Sequence, residues 1–239
     1  MQLDVTWPDL EDFQGLRQIY PQSNDVETHH DLVVVHGLAA GSISTWKHES
    51  GVLWLQWLTS AIPSQRILVY GYKAEEVSLN CENETDSGNR VFVFSESLCA
   101  ALRSFRTECK SPITFLSHGV GGIIVKNALT YCAARPSQFG DILDKTHHLI
   151  FMETPHRGLD IEKWKPAYTN QGIASAQIRL WSTVLRDLST LFAEIANRIG
   201  MHITTVEASE PVELVTSELI VCINVLSTLA EAAVHIIDI

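Results

Sequence analysis

Basic side chains are scarce in this sequence. Only 17 lysines and arginines stand against 28 aspartates and glutamates, which gives a formal net charge of −11 at pH 7. A surface with that balance repels phosphate backbones and anionic lipid headgroups, so neither nucleic acid nor membrane insertion is expected. The start, Met1-Gln2-Leu3-Asp4-Val5-Thr6-Trp7-Pro8, lacks the basic and apolar regions of a secretory leader. The most apolar tract, residues 219–237, is interrupted by Asn224, Ser227, Thr228, Glu231 and His235, too polar for a spanning helix. The 5 cysteines are odd in number and form no C-x-x-C pair, which argues against a disulfide framework and a zinc site. The pairs His29-His30 and His147-His148 have no cysteine or carboxylate at ligand spacing, so no metal and no other cofactor is expected. Reduced thiols and the missing leader place the expected site of action in the cytoplasm. Internal repeats and low-complexity linkers are lacking too, and the oligomeric state is left open.

What is there is a globular balance: 239 residues, 46% hydrophobic and 19% charged, enough to bury one sizeable core. Residues 1–30 read as an irregular segment broken by Pro8, Gly15 and Pro21, ahead of a single domain over 31–239. The run Asp31-Leu32-Val33-Val34-Val35 is continuously apolar and β-branched, as a strand buried on both faces of a parallel sheet requires. Similar runs occur at 66–71, 112–116, 148–152, 202–206 and 219–223. Helical apolar spacing covers 53–62, 91–107, 121–134 and 173–199, while the polar stretch 75–90 reads as a loop. Strands alternating with helices predict an α/β fold with a doubly wound, mostly parallel sheet. The segment 173–199 reads either as a lid carrying Trp181 over an apolar site or as an ordinary crossover helix.

Ligands of open α/β sheets sit at the carboxyl ends of the strands. There the chain carries His36-Gly37-Leu38, Tyr70-Gly71-Tyr72, Ser117-His118-Gly119-Val120-Gly121-Gly122, Glu153-Thr154-Pro155-His156 and Glu207. The central stretch, 115–126, resembles the F-I-x-H-S-L-G-G-L-V-V-K segment of serine esterases of the α/β-hydrolase fold. The lipase-like domains that open many fungal NACHT and ankyrin-repeat proteins belong to that group. Residues 31–46 resemble its V-H-G-L-x-G...T-W opening, 66–74 its R-I-L-x-Y-G-Y-x-A, and 149–158 its I-I-F-L-G-T-P-H-R-G, in the same order. The resemblance implies an α/β-hydrolase fold.

The departures from this pattern carry the functional expectation. In the resemblance the nucleophilic serine falls on Gly119, and the first glycine of the G-x-S-x-G elbow falls on Ser117. Glu207 is the implied acidic triad member, and the implied histidine lies about three residues past Ile239. Acyl transfer needs a nucleophile held against a base, and glycine supplies neither oxygen nor sulfur. The implied oxyanion donors, the backbone N–H groups of Leu38 and Val120, do not depend on a serine. The site residues expected from this reading are Leu38, Val120, Glu207, His36 and His156 for chemistry. Gly119, His118, Tyr70, Tyr72 and Trp181 are expected against the substrate. Each also has a bland reading: His36, His118 and His156 as braces of the sheet end, Tyr70 and Tyr72 as core. The function expected is a non-hydrolytic step on an apolar, carbonyl-bearing small molecule, by a cyclase, isomerase or lyase of fungal secondary metabolism. The alternatives are a catalytically dead interaction module and residual esterase activity.

Overall fold

The computed structural model describes residues 10–22, 28–37, 41–48, 50–74, 90–107, 109–156 and 175–206, with the backbone alone over 175–183. In chain order the elements are β1 (Gly15–Tyr20), β2 (His30–Val35), α1 (Leu55–Ala61), β3 (Gln65–Gly71) and α2 (Arg90–Phe105). Then come β4 (Ile113–His118), α3 (Val120–Ala134), α4 (Pro136–Lys145), β5 (Thr146–Met152), α5 (Ser175–Ile199) and β6 (His202–Val206). The strands form one six-stranded sheet in the order β1-β3-β2-β4-β5-β6. Neighbours pair in parallel throughout, except that β1 runs antiparallel to β3.

Alternation along the strands explains why both faces are covered. Val33, Val35, Leu68, Tyr70 and Phe115 face one apolar cluster, which α2, α3, α4 and α5 complete. Leu32, Val34, Ile67, Val69 and Leu116 face the other, with Trp46, Leu55 and Leu58 above them. Strands buried on both faces read as unbroken apolar runs, which is why β2 to β5 were visible in the sequence. The doubly wound α/β-hydrolase-like sheet is therefore as expected.

Three expectations need correction or completion. Residues 1–30 are not irregular throughout, because 15–20 form β1. Gly15, at φ +86, and Pro21 bound this strand rather than break it. It pairs with β3 on one side only, as an edge strand does, and Ile19 is its one buried residue. A helix not anticipated, α4, starts on Pro136 at its first turn, where proline's missing N–H costs nothing, and buries Phe139, Ile142 and Leu143. The described side chains of α5 do not cap a ligand site. Leu185, Phe192, Ile195 and Ala196 pack against α3 and the core, while Val184 and Leu191 of the supposed inner stripe face outward. The helix is a crossover between β5 and β6. The side chain of Trp181, the loop at 75–89 and the strand expected at 219–223 lie outside the described residues.

At the amino edge of the sheet Asp31 is buried between two arginines. Arg66 donates from Nε to Oδ1 at 2.7 Å and from Nη2 to Oδ2 at 2.8 Å, and Arg106 pairs with Oδ2. Arg106 also donates to the Ser111 carbonyl at 2.6 Å. The pairing ties the start of β2 to that of β3 and to the end of α2. Removing one partner of a buried ion pair leaves the other charge uncompensated, which costs about 3–5 kcal/mol. Asp31→Ala is therefore expected to lower stability by about 3 kcal/mol in urea unfolding. A loss below about 1 kcal/mol would show that the arginines find water instead.

Candidate active site

Gly119 closes β4 and caps α3 with φ +53 and ψ −124. That conformation is strained for any residue with a Cβ and is the turn expected of a nucleophile elbow. It is held from both sides: the Gly119 N–H donates to the Met152 carbonyl at 2.8 Å, and the Gly119 carbonyl accepts from Gly122 at 3.2 Å. The helix behind it lies tight on the sheet. A Cβ at Gly121 would strike the carbonyl oxygen of His36 and come within 2.6 Å of that of Val35, both backbone atoms that cannot move aside. A Cβ at Gly119, by contrast, would meet only the Gly37 Cα, at 3.8 Å, within 4 Å. Among the described residues the elbow faces open space. The Val120 N–H at the start of α3 is one of the first-turn donors that a helix leaves without an internal partner.

Ser117, the other hydroxyl of the segment, is fully buried on β4 and donates to the Ile150 carbonyl at 3.3 Å. It cannot reach the face that Gly119 presents. Among the residues 115–122, nothing offers a nucleophile there.

His36, Tyr70 and Tyr72 are braces. His36 Nδ1 donates to the Gly37 carbonyl at 2.8 Å, and its Nε2 accepts the Tyr72 N–H at 3.1 Å, which fixes the neutral tautomer. The two rings stack at 4.1 Å. The Tyr72 hydroxyl donates back to the His36 carbonyl at 2.9 Å, and burial pushes its phenol up, with Tyr70 adding to the shift. Tyr70 is in the core with its hydroxyl on the Phe94 carbonyl at 2.9 Å, and burial raises it too. These three residues fix the loop after β2 against the end of β3.

His118 lies across the end of β4. Its Nε2 is 3.3 Å from Glu153 Oε2, and its Nδ1 is 2.7 Å from where a Cβ on Gly37 would stand. The pair is accessible, with the two side chains 30% and 47% exposed. Glu153 has φ +51, in the left-handed region, and stands where the T-P-H-R-G motif quoted above carries glycine. Left-handed backbone costs a residue with a Cβ about 1–2 kcal/mol. An exposed ion pair contributes about 0–1 kcal/mol, so the contact with His118 does not offset the backbone it requires.

His156 sits behind the edge rather than on it. Its ring packs on Phe151, its Nε2 is 3.5 Å from Thr205 Oγ1, and its carbonyl accepts from Ser189 at 2.6 Å. Lys126 of α3 donates to the same Ser189 Oγ at 3.0 Å, with Phe151 and Phe192 on either side of its ammonium. Burial lowers Lys126 to about 8, and burial with Lys126 nearby lowers His156 to about 4. The structure thus brings His118, Gly119, Val120 and His36 together at the carboxyl edge. Leu38 and Glu207 lie outside the described residues. Sequence reasoning missed the pairing of Glu153 with His118 and the Lys126–Ser189 link. The first had a signal, an acidic residue in a motif position written as glycine.

The sequence matches the family described as "Putative serine esterase (DUF676)" over residues 25–190, and the chain belongs to that family. Protein SERAC1 of Danio rerio is 24% identical over 187 residues, covering 70% of this chain and 28% of the relative. Protein SERAC1 of Homo sapiens is 24% identical over 164 residues, covering 60% and 24%. The chain spans about a quarter of the length of these curated relatives. They are animal proteins and give no support to a fungal source. Among solved structures, one from the structural analysis of two fungal esterases from Rhizomucor miehei has a TM-score of 0.49 at 11% identity, covering 90% of this chain and 78% of that one. Among the described residues, no helix is long and apolar enough to cross a membrane.

Lys126 gives a pH test of the architecture. Its ordinary value is 10.5 and its folded value about 8. Between the two the unfolded chain holds a proton that the folded chain has released, so stability from this group rises with pH across that window. Below it the folded chain carries the whole cost of a buried charge, at most about 3 kcal/mol. Lys126→Met is expected to be at least as stable as the parent at pH 7, and the advantage should shrink between pH 8 and 10.5 in parallel thermal melts. A variant far less stable at pH 7 would show that the Ser189 link outweighs desolvation.

Proposed function

We propose that this member of the "Putative serine esterase" family binds an apolar carbonyl compound at its elbow and acts on it without covalent hydrolysis. The observation that supports this best is Gly119. The backbone keeps the elbow conformation, φ +53 and ψ −124, with open space above it among the described residues and no side chain of its own to attack a carbonyl. The Val120 N–H is still placed to meet a carbonyl oxygen. A preorganised donor of that kind is worth about 3 kcal/mol to a developing oxyanion, whichever bond then changes. Isomerisation, elimination and ring closure of an activated carbonyl compound all fit. A second reading, a binding module without turnover, is favoured by the curated relatives, in which the matched region is about a quarter of the chain.

Serine chemistry is the first thing to test. The protein is expected to give no burst with nitrophenyl esters and no labelling by a fluorophosphonate. Stoichiometric labelling would show that another serine serves the site and would end this reading. Gly119→Ser is expected to fold, since only the Gly37 Cα lies near, at a cost of about 1–3 kcal/mol for a Cβ in that conformation. Its hydroxymethyl group should fill the space above the elbow and weaken binding of apolar ketones, read by ligand-observed NMR.

A further inference from the structure

Glu153 is the one described residue with a Cβ that holds a positive φ, and its carboxylate meets an accessible histidine beside the elbow. Strain of this kind persists where the surroundings impose it, and it gathers at sites of function. With the carboxylate accepting from Nε2–H, Nδ1 of His118 keeps its lone pair. That nitrogen is turned to Gly37, whose Cα lies 3.8 Å from where a Cβ on Gly119 would stand. The Val120 N–H opens the helix that starts one residue on. A base, an oriented carboxylate and an oxyanion donor thus converge on the end of β4.

We propose that His118 is the general base of this site, with Glu153 as its positioning residue, for removal of a proton from the carbon next to the carbonyl of an apolar ketone. This rests on the reading of the elbow as a carbonyl site. In the step, the C–H bond breaks and its electron pair forms the C=C bond of an enolate. The carbonyl π pair moves onto oxygen, which the Val120 N–H meets. The proton goes to Nδ1, and the resulting imidazolium is held by the Glu153 carboxylate. Return of a proton from Nδ1 to carbon completes an exchange or, at another carbon of a conjugated system, an isomerisation. No oxidant, metal or leaving group is needed. The long, 3.3 Å contact fits a pair that tightens when the ring becomes charged.

The probe is 2-tetralone in heavy water with the full 239-residue chain. Deuterium uptake at the α-carbons is followed by proton NMR, and ketone binding by saturation transfer. The expected result is exchange at least tenfold above that of buffer with the heat-unfolded protein. His118→Gln should abolish it. Glu153→Gly restores the glycine of the quoted motif, so it should keep or raise Tm. It should lower exchange at saturating ketone at least tenfold with ketone affinity unchanged, which a purely structural glutamate would not do. Exchange unaffected by either substitution overturns the assignment. So does ketone binding without exchange, which leaves the elbow reading standing. Neither binding nor exchange overturns both. If His118→Gln fails to fold, Glu153→Gly alone decides.

Discussion

The start of α3 presses on the end of β2 so closely that no Cβ fits at Gly121, and the site follows from that contact. The neighbours of such a Cβ would be the carbonyl oxygens of Val35 and His36, which are fixed by the pairing of β2 with β3 and β4. A helix seated that deep leaves one residue to turn the chain from the strand into the helix axis. Gly119 makes the turn at φ +53, clamped by hydrogen bonds to the end of β5 and to the first turn of α3. The conformation is thus imposed by packing, whatever residue stands at the turn. Changing that side chain leaves the turn, and the Val120 N–H beside it, where they are.

Buried charge is placed at the two edges of the sheet in opposite styles. At the amino edge, Asp31 is matched by two guanidinium groups, a paired arrangement that survives burial because each charge has a partner. Behind the carboxyl edge, Lys126 is 3% exposed and, among the described residues, meets a hydroxyl and two aromatic rings. Burial depresses it to about 8, and burial with Lys126 nearby lowers His156 to about 4. The arrangement fastens α5 and the turn after β5 to α3 through Ser189, which accepts from the lysine and donates to the His156 carbonyl. A fastening behind the edge keeps the end of β5, and hence Glu153, in register with β4.

Where a strand is buried on both faces the sequence is nearly explicit. Residues 31–35 and 66–71 could be placed because nothing else accounts for unbroken β-branched runs. The helix at 90–105 was equally legible from its apolar stripe, and that at 120–134 from its place directly behind β4. β1 escaped notice because it buries a single residue, Ile19, and Gly15 and Pro21 look like interruptions when they are its ends. The inner face of α5 needed its partner to be settled. Leu185 and Phe192 are inside, whereas their neighbours Val184 and Leu191 are out, a rotation that only the partner surface on α3 decides. At the site, Gly119 and Val120 were fixed by local motif. The engagement of His36 Nε2 depends on the Tyr72 N–H, 36 residues away, and that pairing has no local signature.

The two strained positions at the carboxyl edge run in opposite directions. At the elbow, where packing demands a conformation costly to a side chain, the chain has glycine and carries no such cost. One strand over, at a position that the quoted motif fills with glycine, it has Glu153 and does carry it. The Glu153 N–H donates to the Val206 carbonyl at 2.9 Å, but any residue with an amide would do the same. Its carboxylate stands within reach of His118. A bare elbow and a carboxylate beside its histidine are what the proposed proton transfer next to a carbonyl requires, and attack on the carbonyl carbon requires neither.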